Sequence, residues 1–147
     1  MAAYAAAVAG NRSAPDGPVI PVLTYADVEA ATAWLVEVLG FTARVVIGPG
    51  HRAQLAFGEG SLIVADTGSS RAEPDGQRVS ASVMLRVDDA AAVLERARAG
   101  GATVLAGPTD HFYGERQCSF RDPGGHSWTL TQTLRDIDPA DWGGIAG

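Results

Sequence analysis

Lysine is absent from the 147-residue chain; all eleven basic residues are arginine. That excludes chemistry needing a lysine Schiff base, a pyridoxal-phosphate lysine or a phosphate-loop lysine. Positive charge is scarce as well. Seventeen acidic residues leave a net charge of −6 and a pI near 4.9, which argues against nucleic acid as a partner. There is one cysteine, Cys118, so neither a disulfide-stapled scaffold nor a cysteine-rich zinc site is available. Long apolar runs are missing too. The opening MAAYAAAVAG has no basic residue ahead of it, the first being Arg12, and nothing approaches the ~20 residues that span a bilayer. The expectation is a cytoplasmic protein with no membrane partner.

Hydrophobic residues, in contrast, make up 46% of the chain, enough for a real core. Residues 1–18 read as a flexible tail. Its Ala-rich start has the propensity for a short helix, and the turn-forming run Asn11–Pro18 follows. Residues 19–67 form a first module, 68–79 a polar linker, 80–133 a second module, and 134–147 an acidic, Gly-rich tail with Trp142 as its anchor.

The two modules repeat one plan. Leu23–Asp27 and Leu85–Asp89 each close a strand, and an Ala-rich segment follows; Gly40 and Gly101 mark the ends of those segments. Strands are expected over 20–25 and 82–87. Asp27 and Asp89 suit helix N-caps. Val28, Ala31, Leu35, Val38 and Leu39 make one apolar stripe, ended by Gly40; Ala90, Val93, Leu94 and Ala97 make the other, ended by Gly100 and Gly101. Strands over 42–47, 52–57, 61–66, 103–106, 115–121 and 126–132 complete the pattern. The last two are joined by the turn Asp122-Pro123-Gly124-Gly125. The fold class is α+β, a tandem βαβββ repeat.

This repeat carries Trp34-Leu35-Val36-Glu37-Val38-Leu39-Gly40-Phe41, Tyr113-Gly114-Glu115-Arg116 and Asp122-Pro123-Gly124-Gly125-His126-Ser127-Trp128. In that order, over about residues 19–133, it resembles the vicinal oxygen chelate superfamily of glyoxalases, bleomycin-resistance proteins and dioxygenases, and within it a bleomycin-resistance-like member. The resemblance implies two curved mixed sheets around a central pocket. It also implies frequent dimers that pair modules between chains, and, in the enzymes, a divalent metal held by His, Glu or Gln from the first and last strand of each module. Here those positions fall on Ile20, about Val64, Ser82 and Thr129. None is a ligand for zinc, iron or manganese, so no metal and no cofactor is expected. A shift of register brings Asp66 into play, but no His to either first strand.

Alternation of side chains along a strand points Ile20, Val22, Thr24, Ser82, Met84 and Arg86 into the pocket, with Ser127, Thr129 and Thr131. Gln117 and Ser119 share that face. Arg86 calls for a carboxylate partner or an anionic ligand. His111 and Tyr113 sit in a loop that the resemblance places at the rim, and Arg116 near the entrance, with Asp110 as its structural alternative. His126 reads as a turn histidine bonding its own hairpin. Trp34 and Trp128 read as core, and Cys118 as a buried inert thiol.

The sequence therefore points to a metal-free protein that sequesters a small molecule, such as an antibiotic or natural product, in a homodimer. A glyoxalase- or dioxygenase-like isomerase, lyase or transferase is the alternative. Without a metal, Arg86, His111 and Tyr113 are its only acid–base candidates.

Overall fold

The computed structural model describes residues 10–147 apart from Gln77. The short helix expected in the Ala-rich start lies outside the described residues. Among the described residues eight strands form two four-stranded sheets. β1 (Val22–Thr24), β2 (Thr42–Ile47), β3 (Arg52–Phe57) and β4 (Gly60–Ala65) make the first, in the order β1-β4-β3-β2. β5 (Val83–Arg86), β6 (Thr103–Asp110), β7 (Glu115–Arg121) and β8 (Ser127–Thr133) make the second, in the order β5-β8-β7-β6. In each sheet the first and last strands are parallel and the rest antiparallel. The two sheets repeat one topology, as the sequence repeat requires.

Both helices start where a carboxylate can hold the first turn. Asp27 accepts from the Ala30 N–H ahead of α1 (Val28–Trp34), and Asp89 from the Ala92 N–H ahead of α2 (Ala90–Ala99), each at 3.0 Å. After Trp34 the first helix widens into a π-helical turn, Leu35–Leu39. Gly40 ends it at φ 88° and, like Phe41, donates its N–H to the Leu35 carbonyl. The left-handed φ suits glycine there.

Several strand limits differ from expectation, for local reasons. β1 begins only at Val22, since Pro21 has no N–H to give a ladder. β6 runs on to Asp110, through Gly107 and Pro108, although those residues read as breakers. It is an edge strand, its pairing with β7 shifts register twice, and an edge tolerates proline there.

The helix-facing sides of both sheets share one core. Leu35, Leu39, Phe41, Leu55, Leu62 and Val64 from the first module meet Leu94, Phe120, Trp128 and Leu130 from the second. Phe41 packs edge-on to Trp128, and Trp34 against Phe120. Two polar bonds fasten the helices: Trp34 Nε1 donates to the Gly100 carbonyl at 2.8 Å, and Arg96 Nε to the Val38 carbonyl at 2.6 Å.

A third fastening joins the module ends. Asp122, 4% exposed, accepts from the Tyr25 hydroxyl, from Trp128 Nε1 at 2.9 Å and from the His126 N–H at 2.9 Å. His126 does brace its own turn through that N–H, as expected. Its ring instead crosses to the first module, where Nε2 meets the Thr24 carbonyl at 2.6 Å and the ring lies against Tyr25. Burial, then the neighbouring Asp122 charge and hydrogen bond, push the Tyr25 hydroxyl far above the ordinary tyrosine range. Among the described residues, no helix is long and apolar enough to cross a membrane.

Candidate functional site

With one side of each sheet spent on the core, the chemistry falls to the other. On the second sheet, strand pairing sets out the side chains of this open face in rows. Met84, Thr129 and Ser119 form one row; Arg86, Thr131 and Gln117 the next; Thr133 and Glu115 a third. The interleaved row Val83, Trp128, Phe120 faces the core.

The second and third rows are wired together. Tyr113 donates its hydroxyl to Gln117 Oε1 at 2.9 Å. Gln117 Nε2 donates to Thr131 Oγ1 at 3.2 Å, and Thr131, 1% exposed, donates onward to Glu115 Oε1 at 2.6 Å. Arg86 Nη1 closes the chain on the same oxygen at 2.7 Å and also bonds Thr133 Oγ1. Hydrogen bonds from Thr131 and Thr133, then Arg86 beside it, bring the Glu115 carboxyl down to about 2. Arg86 thus has its carboxylate partner while its side chain stays largely solvent-facing, 63% against 16% for Glu115. Sequence reading passed over Glu115, although it shares the parity of Gln117 and Ser119.

The β6–β7 hairpin borders this face with aromatics. His111 stacks on Tyr113 at 4.9 Å and 4° between planes. Trp142, from a single 3₁₀ turn (Pro139–Trp142), leans on Tyr113 and Phe112. The acidic tail is therefore pinned by the tryptophan the sequence singled out, and that tryptophan joins the rim. Gly114, at φ 90°, lets the tail pass: a Cβ there would collide with the Arg135 carbonyl oxygen. Arg116 is held by Asp110 through two bonds, of 2.5 and 3.0 Å.

On the first sheet the open-face rows are Val22, Ile63, Gln54 and Thr24, Ala65, Arg52. Val64 is not among them. It pairs with Leu23 and Ala53 on the core side and is 0% exposed. The neighbouring Ile63 takes the place expected of Val64, because a one-residue slip moves a side chain to the opposite face. Ile20 and Ser82 lie just ahead of β1 and β5, outside the ladders. Val22, Ser82 and exposed Met84 (58%) do meet, in a cavity of about 450 Å³ between the two strands. Thr24, 8% exposed, sits deep at the end of β1, behind the His126 bond. The site candidates thus divide among the second open face, its aromatic rim, the seam between β1 and β5, and the first open face.

A metal does not fit the donors present. Ile20, Ile63, Ser82 and Thr129 offer no imidazole or carboxylate. Glu115 is committed to Arg86 and the threonines. Asp66 is committed to His51 at 2.9 Å and to Arg71, and the His51 bond lowers its carboxyl. Among the described residues, no three His, Cys, Asp or Glu side chains gather to hold an ion. Cys118 is buried, and burial pushes its thiol up.

The fold and repeat have counterparts. TioX from Micromonospora sp. ML1 has a solved structure that matches with a TM-score of 0.64 and 29% identity, over 83% of this chain and 100% of that one. A glyoxalase/bleomycin resistance protein/dioxygenase family enzyme from Burkholderia phytofirmans PsJN matches at 0.67 with 18% identity, over 78% and 97%. An uncharacterized protein of Mycobacterium bovis, Mb0911c, is 37% identical over 57 residues, which are 39% of this chain. The chain spans only 38% of the length of that relative. The model of the Glyoxalase/Bleomycin resistance protein/Dioxygenase superfamily matches residues 19–130, and the chain belongs to that superfamily.

Proposed function

We propose that the protein binds a drug or natural product on its open sheet faces and sequesters it without chemistry, as a bleomycin-resistance-type member would. One observation carries the reading. The carboxylate on the second open face, Glu115, is tied up by Arg86, Thr131 and Thr133, while the residues at the family's metal positions are aliphatic or hydroxylic. What remains is a surface of Met84, Ser119 and Thr129 beside an aromatic rim, the mix of apolar area and a few placed polar groups that small ligands favour. Net charge of −6 suits a cationic or neutral ligand.

The reading includes a homodimer. Among the described residues β1 pairs with β4 alone and β5 with β8 alone, so each keeps one unpaired edge there. Val19, Val22 and Met84 expose apolar surface beside those edges. A second copy covering them would close the open faces into a pocket.

Calorimetric titration of the purified chain with glycopeptide, peptide and enediyne antibiotics tests the reading. Binding tighter than about 100 µM by at least one, at one site per chain or per dimer, is the expected result. No binding better than millimolar across the panel contradicts it. The enzyme alternative rests on the hydrogen-bonded run from Tyr113 to Arg86. It requires turnover of a bound compound that falls on Tyr113→Phe.

A further inference from the structure

Gln54 is 6% exposed, yet it stands on the open side of β3, opposite in parity to the core residues Ala53 and Leu55. What covers it is the chain's own beginning. Gln54 Nε2 donates to the Ser13 carbonyl at 2.8 Å, and Arg44 Nη1 to the next carbonyl, Ala14, at 2.9 Å. The segment is a strap rather than a strand: among the described residues it joins no ladder. Its own N–H groups turn inward, Ser13 N–H to Asn11 Oδ1 at 3.0 Å and Ala14 N–H to the Asn11 carbonyl at 3.2 Å. Toward Gln54 and Arg44 it therefore presents carbonyls.

That leaves half of Gln54 unanswered. Its Oε1 is buried and has no hydrogen-bond partner among the described residues. Buried acceptors nearly always find a donor, and a dry, unpaired amide oxygen is a standing cost. A ligand with an N–H next to its carbonyl would satisfy both ends of the Gln54 amide at once. Val22 and Ile63, in the same row, offer such a ligand an apolar flank.

We propose that residues 11–16 are a resident occupant of a binding face on the first sheet, displaced by a ligand carrying a secondary amide between apolar groups, with Gln54 reading that amide. The inference rests on the open faces being binding surfaces, but it needs no antibiotic to be tested.

The test is nuclear magnetic resonance on the ¹⁵N-labelled full chain. Two probes of matched shape are titrated, N-methylisobutyramide and methyl isobutyrate; the ester lacks the N–H. A third probe is a capped synthetic peptide of residues 10–18. The amide shifts the Gln54 side-chain NH₂ signals and moves the 11–16 backbone signals toward those of the free peptide, at a concentration at least fivefold below the ester. The peptide displaces the tethered strap with a midpoint on the order of millimolar, the effective concentration of a short tether. Gln54→Leu and Arg44→Ala each free the 11–16 signals beforehand. The proposal is overturned if those signals are already free in the unmodified chain, if neither amide nor peptide moves them, or if the ester acts as well as the amide. The antibiotic panel succeeds or fails independently of these outcomes.

Discussion

Arg86 and Glu115, 29 residues apart, meet at 2.7 Å on the second sheet's open face, and the carboxylate oxygen they share also receives the buried Thr131 hydroxyl. The pair makes Glu115 a fixed anion and leaves the remaining donors of Arg86 facing solvent. It converts a carboxylate that a metal or a proton could claim into scaffold.

A pH dependence follows. The folded carboxyl titrates at about 2, below the ordinary 4.5. The folded state therefore binds fewer protons than the unfolded chain between those values. Its contribution to stability is complete above about pH 4.5 and is lost as pH falls toward 2. Urea unfolding midpoints measured from pH 7 to 2.5 should drop through that window in the unmodified chain. In Glu115→Gln the drop should be smaller, from a lower plateau at pH 7. An identical acid limb in both proteins would contradict the assignment.

The Asp122 fastening should be the most costly single polar contact to remove. Asp122→Ala strands the buried donors of Tyr25 and Trp128 and the half-buried N–H of His126. A loss of about 2–4 kcal/mol by chemical denaturation is expected, from unsatisfied buried donors. Tyr25→Phe removes one donor only and should cost about 1 kcal/mol. Equal losses for the two would mean that the carboxylate is not the hub.

Gly124 is pinned by sterics rather than by backbone angle. A Cβ there would lie 2.5 Å from Tyr25 Cδ1 and 2.7 Å from Cε1. Gly124→Ala should therefore push the ring off Asp122 and destabilise by about 1–3 kcal/mol, as overpacking does. Thermal unfolding reads the loss, and an unchanged midpoint would contradict it.

Much of this was legible in the chain. Asp27 and Asp89 announce the helix starts, Gly40 and Gly100 the ends, and the repeat of these marks dictates two like modules. Strand parity placed Met84, Arg86, Gln117, Ser119 and Thr129 on one face. Counting from the repeat fails where register is set by a hairpin turn: the position expected at about Val64 falls on Ile63, and Val64 goes to the core. The strap was hidden for another: its hold on Gln54 and Arg44 runs through main-chain carbonyls 41 and 30 residues away, and a main-chain contact leaves no mark in residue type. Glu115 and Trp142 carried signals, one of parity and one of lone aromaticity, but what Glu115 touches is set by β5 and β8 and what Trp142 touches by the β6–β7 hairpin.

Thr129 stands at the centre of the second open face, half-buried between Met84 and Ser119. Thr129→Arg fills that centre with a long side chain whose charge can reach solvent, so the fold should survive. Affinity for any ligand found in the antibiotic panel should fall at least tenfold by calorimetry, with thermal stability close to the unmodified chain. Retained affinity would move the site off this face.

Binding without a metal is what separates sequestration from metal-dependent chemistry in this fold. Its test is titration of the full chain with such a ligand before and after exhaustive treatment with a chelator, alongside elemental analysis of the same sample. Unchanged affinity, no stoichiometric metal and quantitative recovery of the intact ligand are predicted. Stoichiometric zinc, iron, nickel or manganese, with affinity lost on chelation or the ligand returned as a product, would contradict it.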